Sequence, residues 1–424
     1  MNSSAGHAAL AASALGIASP PVCVTGIGLL TPIGSTLAAF DDALFSGRPA
    51  VRAHTVAVNG FDPIQIGIAA CDDFDSSAMR SNSRLPLDRG TAMALAAARD
   101  AAADAGLDTS TLDPERLGIF WGSGMAGAGF FDTTAAAFYC DQRRMRPTTV
   151  LTVMPNAAVA ELALHFGAQG SAIGYACACA SSSVAIGEAM RAIRGGWIDV
   201  AIVGGHEAML TPGLMTGWHG MRVMAPPPPD APGTACRPFS ADRAGFALGE
   251  GAAALVLESA AHADARGAAA NLVLAGYATN CDGTHITNPD AASQTRVMRA
   301  ALRDAGIDAA QIGHINAHGT ATMAGDAAEA LSIHSVFGST TPVSATKAVH
   351  GHLLGGGGVV ELVAALRALH HQTLPPTANL LTPDPAFALD FVRGEAREVK
   401  SLRYALSNSF AFGGTNAVLI AGLA

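Results

Sequence analysis

Short apolar runs closed by glycine alternate along this chain with longer segments of helical spacing. Runs of this kind bounded by turn residues read as buried strands, and longer apolar-periodic windows as helices. Val22–Gly28 is a β-branched run ending in Gly-x-Gly, with a turn expected around Thr31–Gly34. Residues 92–105 are Ala-rich and predict a helix, and Leu117–Trp121 predicts a strand stopping at Gly122-Ser-Gly124. Ser171–Ala176 predicts the next strand, followed by Cys179 and a helix through about Arg194. Asp199–Val203 then runs as a buried strand into Gly204-Gly205.

Past the surface excursion at Pro226–Pro229 a second round begins. Asn271–Gly276 predicts a strand, Ala291–Gly306 an amphipathic helix, and His314–Ala317 a strand ending beside a histidine. A Gly-rich turn feeds a helix at Val359–His370, and strands at Tyr404–Asn408 and Asn416–Ile420 close the chain. Strands alternating with helices indicate an α/β fold with reactive groups at strand ends. The repetition indicates a duplicated architecture: residues 1–20 a flexible leader, 21–270 a first half carrying Cys179, and 271–424 a second half carrying His318 and His352.

Composition narrows the class. With 424 residues, half of them apolar, only 14% charged and 47 glycines, the chain fits a large compact enzyme. A net charge of −9 argues against nucleic-acid binding. No apolar stretch is long enough to cross a bilayer. The leader holds the apolar runs Ala8–Ala12 and Ala14–Ala18, but no Lys or Arg precedes Arg48, so it reads as a tail and not a signal peptide. A cytoplasmic protein with reduced thiols is expected from seven scattered cysteines. Cys177 and Cys179 form a C-x-C without a second Cys/His pair nearby, so no metal site is expected.

Two glycine motifs carry less than they suggest. Gly26-Ile-Gly28 resembles the start of a dinucleotide fingerprint, but Thr31 stands where the third glycine belongs. Gly355–Gly358 lacks the Lys-Ser/Thr of a phosphate loop and reads as close backbone packing.

The chemistry-bearing segments are four. In Ala176-Cys-Ala-Cys-Ala-Ser-Ser-Ser183, Cys179 sits among small residues at the mouth of a helix, where the dipole favours a thiolate. Taken alone, this cysteine reads equally well as a buried small hydrophobe. Asn316-Ala-His318-Gly-Thr-Ala-Thr322 puts a histidine at a strand end. Lys347 and Gly351-His352 stand at a helix entrance, which favours neutral imidazole. Asn408-Ser-Phe-Ala-Phe412-Gly-Gly-Thr-Asn416 is a turn whose N–H groups could form half of an oxyanion hole.

These segments, in this order from about Val22 to Leu423, resemble the condensing enzymes of the thiolase superfamily, most closely the elongating β-ketoacyl-(acyl carrier protein) synthases and their polyketide relatives. The resemblance implies a thiolase-like fold, with two similar halves in an α-β-α-β-α layered arrangement, and a decarboxylative Claisen condensation with malonyl-(acyl carrier protein). It implies that Cys179 takes the acyl chain and that backbone N–H groups of Cys179 and Phe412 hold the oxyanion. His318 and His352 would promote decarboxylation, Lys347 would set the electrostatics around His318, and Glu361, nine residues after His352, would support the site. Thr320 and Thr322 would bind the phosphopantetheine arm, which arrives on the carrier protein, so no metal or organic cofactor is implied.

The Cys-His-His set separates this chain from thiolases, which use a second cysteine, and from initiating synthases, which have an asparagine. Retention of Cys179 speaks against the alternative of a non-catalytic chain-length-factor-like subunit. The resemblance further implies an acyl carrier protein docking on Arg143, Arg144 and Arg222, with Arg146 adjacent. It also implies a dimer, a homodimer first and a heterodimer with a chain-length factor second. Phe410-Ala411-Phe412 replaces the usual Phe-Gly-Phe, from which a stiffer gating loop is expected. Thr149, with Met125 near it, takes the place of a bulky ring at the pocket end. From this a specialised acyl substrate, such as a polyene or aryl-primed chain, is expected.

Overall fold

The computed structural model describes residues 20–83 and 85–424. The expected leader, Pro20 apart, lies outside the described residues. Ten principal strands form the frame: β1 (Val22–Leu30), β2 (Leu117–Gly122), β3 (Ala172–Tyr175), β4 (Val200–Glu207) and β5 (Gly251–Glu258), then β6 (Leu272–Cys281), β7 (Ile312–Asn316), β8 (Pro342–Ser344), β9 (Tyr404–Phe410) and β10 (Thr415–Leu423).

The two sets have one topology. In the first, the spatial order is β1-β5-β4-β2-β3, and in the second it is β6-β10-β9-β7-β8, extended at the far edge by Asp390–Phe391. Each set pairs its first strand with its last antiparallel, and its last with its fourth antiparallel. The second and third strands join parallel to the fourth. The sets are linked by a short antiparallel contact between Val22–Val24 and Leu272–Leu274. This is the thiolase-like duplicated architecture expected from the sequence.

Five helices supply the layers: α1 (Arg89–Asp104), α2 (Ser181–Arg194), α3 (Ala291–Ala305), α4 (Met323–Phe337) and α5 (Gly357–His371). The outer helices are amphipathic and capped. Asp88 accepts from the N–H groups of Gly90 and Thr91 at the start of α1, and Asp290 from those of Ala292 and Ser293 at the start of α3. α2 and α5 differ. Every residue of α5 from Gly357 to Leu369 is buried, and nearly all of α2 is too. A helix buried along nearly its whole length must lie between two layers. These two pack against each other and against both strand sets, forming the middle of an α-β-α-β-α stack. Neither has a side-chain cap at its N-terminus, which leaves free N–H groups at the centre of the molecule.

Gly28 explains the fingerprint-like motif. A Cβ there would lie 2.0 Å from the carbonyl oxygen of Ala97, so the glycine lets α1 lie directly on β1 and holds no nucleotide.

Candidate active site

Cys179 follows β3 through a tight connection in which Ala178 takes a left-handed φ of 46°, placing the sulfur at the uncapped start of α2. His318 follows β7, and His352 follows β8 after a one-turn helix, Lys347–His350. Ala321 (φ 58°) and Leu354 (φ 46°) are also left-handed. Residues held in such sparsely populated regions cluster where the surroundings must fix geometry. All three side chains are buried, and their reactive atoms lie within 4.8 Å of one another.

Hydrogen bonds set the tautomers. The Leu354 N–H donates to His352 Nδ1 at 3.3 Å. A backbone N–H can only donate, so neutral His352 carries its proton on Nε2, which lies 3.1 Å from Cys179 Sγ. Lys347 Nζ lies 3.2 Å from His318 Nδ1 and also donates to the His318 carbonyl, so His318 likewise presents Nε2–H. The two rings meet edge to face at 5.5 Å. Burial, reinforced by the Lys347 charge, holds both imidazoles well below the usual histidine range. Both are therefore neutral hydrogen-bond donors.

Lys347 is fully buried and ion-paired with Glu361 from α5. Burial pushes the Glu361 carboxyl up to about 7, against the pull of Lys347. Burial also pushes the Cys179 thiol up to about 12, opposed by Lys347 and by a hydrogen bond from the Phe412 N–H. Burial thus outweighs the pull of the helix start toward thiolate, because full burial costs the charged form more. Cys179, His318 and His352 are spaced as a metal site could be. The donor chemistry does not fit, since the two Nδ1 hydrogen bonds leave a proton on each Nε2 that a metal would need bare.

These groups line a cavity of about 250 Å³ together with Thr320, Thr322, Phe410 and Phe412. The β9–β10 hairpin carries Phe412 to the sulfur. Its Gly413 N–H donates to the Ile286 carbonyl, tying the hairpin to the segment 282–289, which also lines the cavity.

The chain matches the model for the beta-ketoacyl synthase N-terminal domain over residues 19–263 and that for the beta-ketoacyl synthase C-terminal domain over residues 272–381. The chain belongs to the beta-ketoacyl synthase family. It is 36% identical to 3-oxoacyl-[acyl-carrier-protein] synthase 2 of Vibrio cholerae, over 94% of this chain and 98% of that protein. The crystal structure of a beta-ketoacyl synthase from Burkholderia phymatum superposes with a TM-score of 0.86 at 32% identity, over 95% of this chain and 99% of that one. The ishigamide ketosynthase/chain length factor gives 0.85 at 31%, over 96% and 99%.

Within this ketosynthase frame, Cys179, His318, His352, Lys347, Glu361 and Phe412 come together. Thr320 and Thr322 share a hydrogen bond of 2.9 Å on the cavity wall. Met125 and Thr149 do not reach the cavity: Met125 is 45% exposed, and Thr149 is buried at the start of the short helix Thr149–Val153. Arg222 stands exposed between Met221 and Val223, which line the cavity. Arg143 and Arg144 are exposed beyond the helix Ala128–Cys140. The Ala411 backbone is not left-handed, so alanine fits there without strain.

Two carboxylates escaped the sequence reading. Glu329 on α4 accepts from the N–H groups of His318 and Gly319, both at 2.8 Å, and from Asn408. Glu207 at the end of β4 accepts from Gly124, Met125 and Gly355. Each pins a loop that carries or borders a reactive residue. Their signal was weak: Glu207 is the single acid of an apolar strand, and Glu329 one of two acids in a helix without a clear apolar stripe.

Proposed function

We propose that Cys179, His318 and His352 carry out the decarboxylative condensation of an acyl thioester with malonyl-(acyl carrier protein), giving a 3-oxoacyl-(acyl carrier protein). The observation that carries this reading is the 3.1 Å approach of His352 Nε2 to Cys179 Sγ, with the His318 ring edge to face beside it. Cys179 takes the acyl group from the carrier's pantetheine sulfur, and the N–H groups of Cys179 and Phe412 hold the carbonyl oxygen as it becomes negative. Malonyl thioester then binds with its carbonyl oxygen facing the two Nε2–H groups. Loss of CO2 sends the electron pair toward that oxygen, and two neutral donors stabilise the enolate without trapping it as an enol. The enolate carbon attacks the acyl-cysteine, and Cys179 leaves. Lys347, held by Glu361, keeps His318 in the donor tautomer. Thioester exchange and decarboxylation drive the sequence without a metal or organic cofactor.

Thr320 and Thr322 bind the pantetheine arm. Arg222 at the mouth, with Arg143 and Arg144, receives the acidic carrier protein. The molecule works as a dimer: β3 has an open edge with Ile173 44% exposed, and Val150 and Leu164 nearby are 64% and 56% exposed. A second copy covering this edge completes the acyl pocket near Met125 and Thr149, and a chain-length factor is the alternative partner. Seven unpaired cysteines support a cytoplasmic location, and no helix among the described residues is long and apolar enough to cross a membrane. A non-catalytic role is disfavoured because nucleophile and histidines converge.

Intact-mass spectrometry after incubation with a panel of acyl carrier-protein thioesters tests the reading. An acyl adduct that is lost in Cys179→Ala is expected, and no adduct with any thioester overturns the catalytic role.

A further inference from the structure

Aromatic side chains are scarce in this chain, 5% of residues, and tryptophan occurs three times. Trp121 is buried and hydrogen-bonded to His206, and Trp197 lies 74% exposed on the surface. Trp218 alone lines the cavity of the nucleophile. Its ring is nearly parallel to that of Phe412, 6.4 Å away with 21° between planes, and edge-on to Phe246 at 5.9 Å. Phe246 in turn stands edge-on to His352 at 5.0 Å. Trp218 thus bridges the residue whose N–H faces the Cys179 sulfur and the ring that packs on the catalytic imidazole.

The cavity lining holds both kinds of group. Thr287, Asn288, Thr320 and Thr322 offer polar groups suited to the amides of a pantetheine arm, and Trp218, Met221, Val223 and Phe246 form an apolar set that can meet the first carbons of an acyl chain on Cys179. Its broadest flat surface is the indole. A saturated chain gains from such a surface only what any apolar wall would give. A planar conjugated chain can also stack on it in the offset geometry that aromatic faces prefer.

We propose that Trp218 is a specificity residue that favours acyl thioesters whose chain is flat and conjugated next to the carbonyl, polyenoyl or aryl, over saturated chains of equal length. This rests on the condensing reading of the site. In the selected step the acyl carbon–sulfur bond to pantetheine breaks and one to Cys179 Sγ forms. The thiol proton of Cys179 ends on the departing pantetheine sulfur.

The test compares 2,4-hexadienoyl and hexanoyl carrier-protein thioesters, following Cys179 acylation by intact mass. Each rate is divided by that of uncatalysed exchange with a free thiol, which removes the lower intrinsic electrophilicity of the conjugated carbonyl. The wild-type protein should favour the dienoyl chain by about 3- to 10-fold, the range expected of one stacking contact. Trp218→Leu keeps apolar bulk without a ring face and should bring the ratio close to one, whereas Trp218→Phe should retain part of it. A wild-type ratio near one, or a preference that survives in Trp218→Leu, overturns the proposal. If neither thioester acylates the wild-type protein, the condensing reading falls, and this inference with it.

Discussion

Lys347 Nζ lies 3.2 Å from His318 Nδ1, with both side chains buried. This contact links the charge of one loop to the proton position on another. It makes the proton position on His318 depend on a residue that does not itself line the cavity.

Lys347→Met should therefore separate the two half-reactions. Loss of the contact frees His318 to flip tautomer, and condensation should fall on the order of 100-fold, as when an oxyanion donor is removed. Lys347 is also the main charge lowering the Cys179 thiol, so alkylation of Cys179 by iodoacetamide at pH 8 should slow. Glu361 is left buried without its partner, which should cost about 3 kcal/mol of stability. Product assay, alkylation rate and urea denaturation check the three effects, and unchanged condensation would refute the positioning role.

Acid sensitivity follows from the buried histidines. Burial lowers His350 from its usual 6.5 to about 3, so below pH 6.5 the unfolded chain gains a proton there that the folded chain cannot take. The unfolded state then binds more protons, and stability falls as pH drops through that window. His350→Gln removes this one contribution. The variant should lose about 1 kcal/mol at pH 7.5, from the bonds to Gly351 and Thr346. It should recover relative to wild type by about 1.4 kcal/mol per pH unit below 6.5. Denaturation at pH 7.5, 5.5 and 4.5 measures this, and a constant difference would be inconsistent with a neutral buried imidazole.

Gly358 lies where the central helices touch. A Cβ there would stand 2.2 Å from Ser183 Oγ and 2.9 Å from Ser409 Oγ. Gly358→Ala should cost about 2 kcal/mol by overpacking. It should also reduce condensation, because α5 carries Glu361 and follows His352. Thermal melts with activity at 25 °C test it, and a neutral substitution would mean the helices can separate freely.

Ala411→Gly asks whether the hairpin is held by its own bonds. Ala411 N–H donates to the Thr415 carbonyl, and Gly414 N–H to the Ala411 carbonyl. With a backbone that alanine adopts without strain, glycine should destabilise by about 0.5–1 kcal/mol through the unfolded state. It should also speed hydrogen exchange at 410–415. Unaltered exchange would place loop stiffness elsewhere, with the Gly413–Ile286 bond the first place to look.

Much of this architecture was legible before any coordinates. The strands at Val22, Leu117 and Asn271 were visible because apolar runs ended at glycines, and that at Tyr404 from its place before the Asn408–Asn416 turn, though boundaries moved by up to several residues. The buried strand Gly251–Glu258 was not seen, because its Gly-Ala-Ala-Ala start lacks the β-branched residues that mark a strand. α4 went unrecognised for a related reason: buried Asp326, Glu329 and Ser332 interrupt its apolar stripe. The convergence of Cys179, His318 and His352 was readable from their motifs. Glu207 and Glu329 were not, since a carboxylate that only holds backbone N–H groups leaves no spacing behind. Trp218 was invisible as a cavity residue, because its meaning depends on rings distant in sequence.

The shared topology of the two strand sets has a consequence for the site. The third strand of the first set leads to Cys179 and then α2, and the third strand of the second leads to Lys347, His352 and then α5. Cys179 and His352 thus occupy equivalent berths in two copies of one blueprint. The halves share a scaffold and differ in the chemistry mounted on it, so that neither half by itself would hold the whole Cys-His-His set.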